Sequence, residues 1–280
     1  MKINFSVEEA VSKRYSVRNY QEKEVETEKL NLIKDFINNL DNPFGSKINF
    51  HYLENSNMKN QEQLGTYGVI LGAKQYIGTT ITLESGSLEA LGYEFEALVL
   101  YLAHLDLGTC WLGGTFDRGG FAEAMNVNEG EIFPIITPYG YASDSKHEME
   151  IKMRKMIQAD HRKEWNELFF KDNFNSLITK DEAGELAFAL EMVRLAPSAS
   201  NKQPWRIVVI NGNCHFFEYK EPGYSDRFIY DIQRIDMGIA AAHFDFSVTE
   251  TNINGHFDTN LNPNIELPEN IEYAFSWIKK

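Results

Sequence analysis

Ala196-Pro197-Ser198-Ala199-Ser200-Asn201-Lys202-Gln203-Pro204-Trp205 joins a helix to a strand. On its N-terminal side, Ala183 to Leu195 has the apolar spacing of an amphipathic helix, and Pro197 stops it because a residue before proline resists the helical region. On its C-terminal side, Arg206 to Ile210 is a β-branched strand that Asn211-Gly212 turns back into a second strand from Cys214 to Tyr219. Between these elements small polar side chains are dense and a proline stands near each end, which stiffens the loop and limits the entropy lost on engaging a ligand. Asn201 and Gln203 offer paired donors and acceptors for a ring edge or a row of hydroxyls. The same composition also suits an ordinary loop of turn formers.

Upstream, the pattern alternates in the same way. Val25 to Leu40 carries Leu30, Ile33, Phe36, Ile37 and Leu40 at helical spacing, and Asp41 to Ser46 ends it ahead of a strand from Ile48 to Leu53. A glycine-punctuated apolar run follows at Leu64 to Ile70, then a strand-like stretch from Tyr76 to Leu83. Leu91 to Leu107 is a wide apolar helix that Gly108 can close as a C-cap. Beyond Trp111 to Phe116 come a helix around Phe121 to Met125, a strand at Ile132 to Ile136, and a charged, loosely helical connector from Met149 to Asn173. Helices alternating with strands and hairpins indicate α+β or mixed α/β. Gly92 and Gly238 stand 146 positions apart, and the same offset places Leu98 on Phe244, Leu102 on Val248, Leu107 on Ile253 and Trp111 on Phe257. Leu30 to Phe50 likewise parallels Leu186 to Val209, a pattern that duplication or coincident helix stripes would each produce.

Composition narrows the function. Of 280 residues, 43% are apolar and 24% charged, which fits a folded chain of one large or two intimately packed units. The 27 Lys and Arg face 41 Asp and Glu, a formal charge of −14 that opposes binding to nucleic acid or an anionic membrane through a general basic surface. A phosphate ligand would need a local basic pocket. The start, Met1 to Glu8, has no signal-peptide run and no window reaches the ~20 apolar residues of a membrane span, so the cytoplasm is the expected compartment. Cys110 and Cys214 lack CxxC spacing and the seven histidines lack ligand spacing, so neither a disulfide framework nor a metal site is expected. Gly108 to Thr115 lacks the lysine of a P-loop. In this acidic chain Lys13-Arg14-Tyr15-Ser16-Val17-Arg18-Asn19-Tyr20 alternates two guanidiniums with a hydroxyl, a sensible anion grip, although a solvated basic patch is the plainer reading of the spacing alone.

Taken together, these segments resemble a known family. Arg14 to Tyr20 resembles the RRSxRxF-like segment near the start of nitroreductase-family flavoproteins, and Ala196 to Ile210 resembles their APSxxNxQPWxF segment almost position for position. Leu107 to Gly114 is similar to the family's GLGTCWIGG-like stretch, and Arg162 to Leu168 to its closing RKPLEEL. The order differs: the intact APS segment follows the closing segment, while its first counterpart, Asn42 to Ser46, has lost the polar set. That layout resembles the subfamily with an internal duplication. It implies an α+β nitroreductase-like fold with two related halves, 1–170 and 171–280, packed as an intramolecular pseudo-dimer in a single unit, with a monomer as the expected state.

The resemblance also implies one composite site for FMN. Arg14, Ser16, Arg18 and Arg162 would hold phosphate and ribityl oxygens, Tyr15 would contribute its backbone, and Lys152 or Arg154 are alternatives to Arg162. Pro197, Ser198 and Asn201 would line the flavin from the other half, and the backbone of Gly113 and Gly114 would approach its N5 side. Tyr67, Trp111 and Phe116 are candidates to wall the cleft. A second site built from Asn42 to Ser46 and Phe174 to Thr179 would lack any arginine and should be poorly occupied. The implied activity is FMN-dependent oxidation of NADH or NADPH with ping-pong hydride transfer to a nitroaromatic, quinone or similar small acceptor, with no catalytic side chain of its own. The alternatives are a flavoenzyme of this fold with other chemistry, such as dehalogenation or dehydrogenation, or a flavin-binding or sensory protein without turnover.

Overall fold

The computed structural model describes residues 3–54, 65–261 and 263–280, and Leu64 of the glycine-punctuated run lies outside them. Ser6 caps the first helix, α1 (Val7–Lys13), with its hydroxyl accepting from the Glu9 amide. Then come α2 (Thr27–Asn38), β1 (Asn49–Glu54), β2 (Gln75–Ile81), α3 (Ser87–His104), β3 (Gly108–Thr109), α4 (Arg118–Ala124) and β4 (Ile132–Gly140). The chain continues through α5 (Glu148–Met156), α6 (Trp165–Leu168), β5 (Phe169–Lys171), β6 (Asn173–Leu177), α7 (Lys180–Ala183) and α8 (Ala187–Leu195). It ends with β7 (Trp205–Ile210), β8 (Asn213–Tyr219), α9 (Gln233–Glu250), β9 (Gly255–Asp258) and β10 (Ile271–Lys279). The mixture of helix and antiparallel sheet is the expected α+β class.

Two sheets form, ordered β1-β2-β4-β3 and β6-β5-β7-β8-β10-β9. The run β7-β8-β10-β9 repeats the order and antiparallel pairing of β1-β2-β4-β3, and both follow a helix, α8 or α2. The 146-residue offset carries α3 onto α9 end for end. Both helices finish alike: Asp106 and Asn252 take left-handed φ of 59° and 58°, and the amides of Leu107 and Ile253 bond back to the carbonyls of Leu102 and Val248. Gly108 is therefore not the C-cap of α3. It opens β3, where a Cβ would sit 2.5 Å from Val17 Cγ2, so close strand packing is what its small size permits.

Both α3 and α9 are buried along most of their length and contribute to the apolar clusters of the core, although each also buries charged side chains. Polar contacts join them too: Glu96 meets His243 at 2.9 Å and Tyr93 Oη donates to Asp245, while the other Glu96 oxygen accepts from Trp111 Nε1 at 2.8 Å. Residues 149–173 are less helical than their charge pattern suggests. After α6 the chain becomes β5, which spans position 170 and adds to the second sheet by parallel pairing with β7. Cys110 and Cys214 are buried, unpaired thiols. No helix among the described residues is long and apolar enough to cross a membrane.

Candidate functional site

The loop after α8 is held in an uncommon conformation. Ser200, Asn201 and Gln203 take φ of 49°, 56° and 50°, the left-handed region that non-glycine residues adopt only when their surroundings require it. Those surroundings are specific. The Gln203 amide donates to Ser198 Oγ at 2.8 Å, and Gln203 Oε1 accepts from the Lys163 amide at 2.8 Å. Asn201 Nδ2 donates to the carbonyls of Gln158 and His161 at 2.8 and 3.0 Å. From α9, Asp236 Oδ1 accepts from the Ala199 amide at 2.9 Å. Gln203 is buried, so its side chain fixes the loop and does not face a ligand. Pro197, Ser198 and Asn201 are partly exposed.

They border a cleft of about 290 Å³ between the end of α1, the segment following α5 and this loop. The cleft gathers Arg14, Tyr15, Ser16, Arg162, Pro197, Ser198 and Asn201, residues far apart in sequence. Arg154 lines it as well, whereas Lys152 does not. Three guanidiniums thus converge. Arg154 has a carboxylate partner in Asp160. Arg162 donates to the carbonyls of Leu195, Ala159 and His161 and to Asn201 Oδ1 at 3.2 Å, so Asn201 steers the guanidinium. Burial first, then the Arg14 and Arg194 charges, push the Arg162 pKa down to about 10. The Arg14 guanidinium has no hydrogen bond or ion pair among the described residues, its Nε is buried without a partner, and burial lowers its pKa. Burial likewise raises that of Tyr15.

Arg18, Gly113 and Gly114 stand outside the lining of this cleft. Arg18 is on the same segment, which is pinned by the Val17 amide donating to the Thr109 carbonyl at 2.8 Å and the Leu71 amide to the Arg18 carbonyl at 2.9 Å. It is buried, bonds to the Ser16 carbonyl at 3.3 Å, and leaves its Nε without a partner. Gly113 follows the β-bridge between Leu112 and Ile136, and its carbonyl accepts from Arg118 at 2.7 Å. A Cβ there would meet Ile135 and Ile232 at 3.0 and 3.2 Å, and one on Gly114 would lie 3.6 Å from Arg227.

Other expected wall residues have different places. Phe116 is in the core against Phe121 and Phe133, and Tyr67 is largely exposed. The Asn42 to Ser46 counterpart is filled by packing: Phe44 sits on Phe275, Phe257 and Tyr93 with ring centroids 5.1, 6.0 and 6.4 Å apart, and Asn42 bonds to Glu94. Phe174 packs instead on Phe170 and Phe217 in the edge of the second sheet. Another cavity, of about 230 Å³ beside Tyr20, Val25 and Leu30, has comparable size. Its cations are spent, Lys23 on Glu26 and Lys74 on the Glu22 carbonyl. Sequence reasoning missed Asp236 altogether, because its spacing from the other acids of α9, Asp245 and Glu250, distinguishes no site.

Comparison with known proteins agrees with this architecture. The model of the family described as "Putative TM nitroreductase" matches residues 6–248. Among solved structures, a "putative nitroreductase" from Thermotoga maritima superposes with a TM-score of 0.61 at 19% identity, covering 100% of this chain and 96% of that one. A nitroreductase family protein from Clostridium difficile aligns with 55% of this chain and 92% of its own at 20% identity and a TM-score of 0.43. A nitroreductase with bound FMN from Bacteroides fragilis aligns with 51% of this chain and 92% of its own, at 16% identity and a TM-score of 0.40. No curated protein matches the chain. With a family model spanning residues 6–248 and a full-length structural counterpart, this chain is a member of the putative TM nitroreductase family and has the nitroreductase-like fold.

Proposed function

We propose that the chain binds one FMN in the arginine-lined cleft and works as a flavin-dependent NAD(P)H oxidoreductase of the nitroreductase type. The observation that carries this reading is Arg14: a guanidinium without a partner among the described residues, its Nε buried, beside Arg162 and Arg154 in a chain of net charge −14. Converging like charges raise the energy of the ligand-free protein, and a dianionic phosphate reverses that sign. The donor set therefore fits a phosphate monoester. Arg14, Arg162 and Ser16 would hold it, with the Tyr15 backbone alongside. Arg18, with its own buried and unpartnered Nε, would face the adjoining ribityl or ring oxygens. Pro197 and Ser198 would line the opposite wall, Asn201 would position Arg162, and the Gly113-Gly114 backbone would lie at the N5 edge.

When bound, FMN supplies hydride acceptance from NADH or NADPH and passage of electrons to a nitroaromatic, quinone or similar small acceptor. The protein's part is to orient ligands and to hold positive charge beside the flavin phosphate. The 146-residue repeat and the equivalent strand orders support an internally duplicated chain in which the second location, filled by Phe44, has lost its ligand. We accordingly expect a monomer with one flavin. Its two reduced thiols fit the cytoplasm.

Flavin absorbance of the purified protein, with and without added FMN, tests the reading. About one FMN per chain supports it. A colourless protein that ignores added FMN would sink it, and about two per chain would contradict the single composite site. NAD(P)H oxidation against a panel of acceptors then separates a turning-over enzyme from a flavin-binding protein.

A further inference from the structure

We propose that the segment 220–232 is the substrate-selecting wall of this site, and that Arg227 selects aromatic electron acceptors carrying a negative charge. The inference rests on the flavin reading above. Between β2 and α3 the chain needs only residues 82–86, whereas the equivalent connection between β8 and α9 takes 220–232. The longer connection reaches both flavin-facing segments. Tyr224 Oη donates to Ser200 Oγ at 2.9 Å, and a Cβ on Gly114 would lie 3.6 Å from Arg227 Nη2 and 3.8 Å from Phe228 Cζ. Its base is fastened: Ser225 Oγ donates to Asp231 at 2.7 Å, Lys202 pairs with Glu221 at 2.7 Å, and the Glu221 amide donates to Gln233 at 2.9 Å.

Beyond the glycine pair a cavity of about 490 Å³ opens between this segment and residues 118–133. Phe133, Val127, Phe228 and Tyr230 give it apolar and aromatic walls suited to a flat ring, and of its two acids Glu131 accepts from Asn49 and Asn128 while Glu129 is exposed. Two arginines line it, and they differ. Arg118 is spent on the carbonyls of Phe133, Gly113 and Pro134. Arg227 has no hydrogen bond or acidic partner among the described residues and rests its guanidinium on the rings of Phe228 and Tyr224, 5.0 and 6.0 Å from their centroids. The Tyr230 hydroxyl, in the same cavity, is buried with no partner. A carboxylate on an aromatic ring is the ligand group that both can serve: it accepts from the arginine fork and from the phenol, while the ring stacks on the aromatic wall.

Titration of oxidised, FMN-loaded protein with para-nitrobenzoate and para-nitrobenzamide, in the absence of NAD(P)H, reads this selection by calorimetry and by perturbation of the flavin spectrum. The carboxylate should bind roughly tenfold more tightly. Arg227→Gln should bring the two ligands to parity, and Tyr230→Phe should narrow the gap, both at unchanged FMN content. Holoprotein that binds the two ligands equally, or an Arg227→Gln variant that keeps the preference, overturns the proposal and leaves the flavin reading standing. Protein that takes up no FMN overturns both readings together.

Discussion

Gly92 and Gly238 touch where α3 crosses α9: a Cβ built on Gly238 would lie 2.9 Å from the Gly92 Cα and 2.0 Å from the Glu89 carbonyl oxygen. The reverse clash is equally hard, since a Cβ on Gly92 would lie 2.0 Å from the Ile235 carbonyl oxygen. The obstacles are backbone atoms of a packed core, so a methyl group can be admitted only by spreading the two helices. Gly238→Ala should therefore destabilise the protein by roughly 2–4 kcal/mol despite its better helix propensity. A shift of the guanidinium unfolding midpoint measures it. An unchanged midpoint would mean that the helices have slack at their crossing.

The 146-residue offset of these glycines was legible in advance as a repeat, but their contact was not, because nothing in the sequence says which helices pack on each other. The loop from Ala196 to Trp205 and its flanking helix and strand were legible as punctuation by proline next to clear periodicity. The strand pair β5 and β6 was not. It is short and largely exposed, and β5 is a strand only because β7 lies beside it, a tertiary contact without local signal. In the cleft, the chemistry of Arg14 and Ser198 could be guessed from their type and the family resemblance. The internal duties of Gln203 and Asp236 depend on which backbone groups the fold brings to them.

Arg14 gives the site a signature in stability as well as binding. It is mostly desolvated, makes no ion pair among the described residues and has Arg162 and Arg154 nearby, and its burial outweighs the attraction of Glu96, so it burdens the ligand-free protein. Arg14→Met should leave the melting temperature of apoprotein unchanged or slightly higher. The same change should weaken FMN binding by about 10- to 100-fold, the range expected for losing one or two charge-assisted hydrogen bonds. Fluorescence titration with FMN and thermal melts of apoprotein check the two halves. A variant destabilised without FMN and normal in its affinity would assign Arg14 to structure.

Gln203 should behave in the opposite way. Its side chain accepts from the Lys163 amide and donates to the Asn201 carbonyl, within a loop that keeps three residues at positive φ. Gln203→Leu preserves much of the volume but strands the part-buried Lys163 amide and the Asn201 carbonyl, which should cost about 1–3 kcal/mol. Loosening Asn201 would also release Arg162, so FMN affinity should fall with stability. Chemical denaturation of apoprotein and FMN titration of the same sample measure both. Loss of stability with affinity intact would show that the loop and the Arg162 guanidinium are uncoupled.

Glu218 predicts a pH dependence. It lies on β8 with no exposed surface. Arg234 Nε is 2.8 Å from one carboxylate oxygen but poorly aligned, and neither oxygen makes a well-formed hydrogen bond among the described residues. Burial raises its pKa to about 8, Arg234 opposing and Asp231 adding to the rise. Glu94, raised to about 7 mainly by burial, acts in the same direction. In the window from about 4.5 up to these values the folded protein holds protons that the unfolded chain has released, so stability falls as pH rises. The carboxylates of Glu26 and Glu182, held down to about 2 by hydrogen bonds, lose their contributions only as pH drops below about 4.5, and so do not mask the trend. Denaturant midpoints taken between about pH 6.5 and pH 8, above the range in which buried His215 opposes the trend, should decline, and Glu218→Gln should flatten the decline by removing the group that resists ionisation. A wild-type profile that rises across this window would mean that Arg234 holds Glu218 as a carboxylate, and the variant would then be the less stable protein at neutral pH.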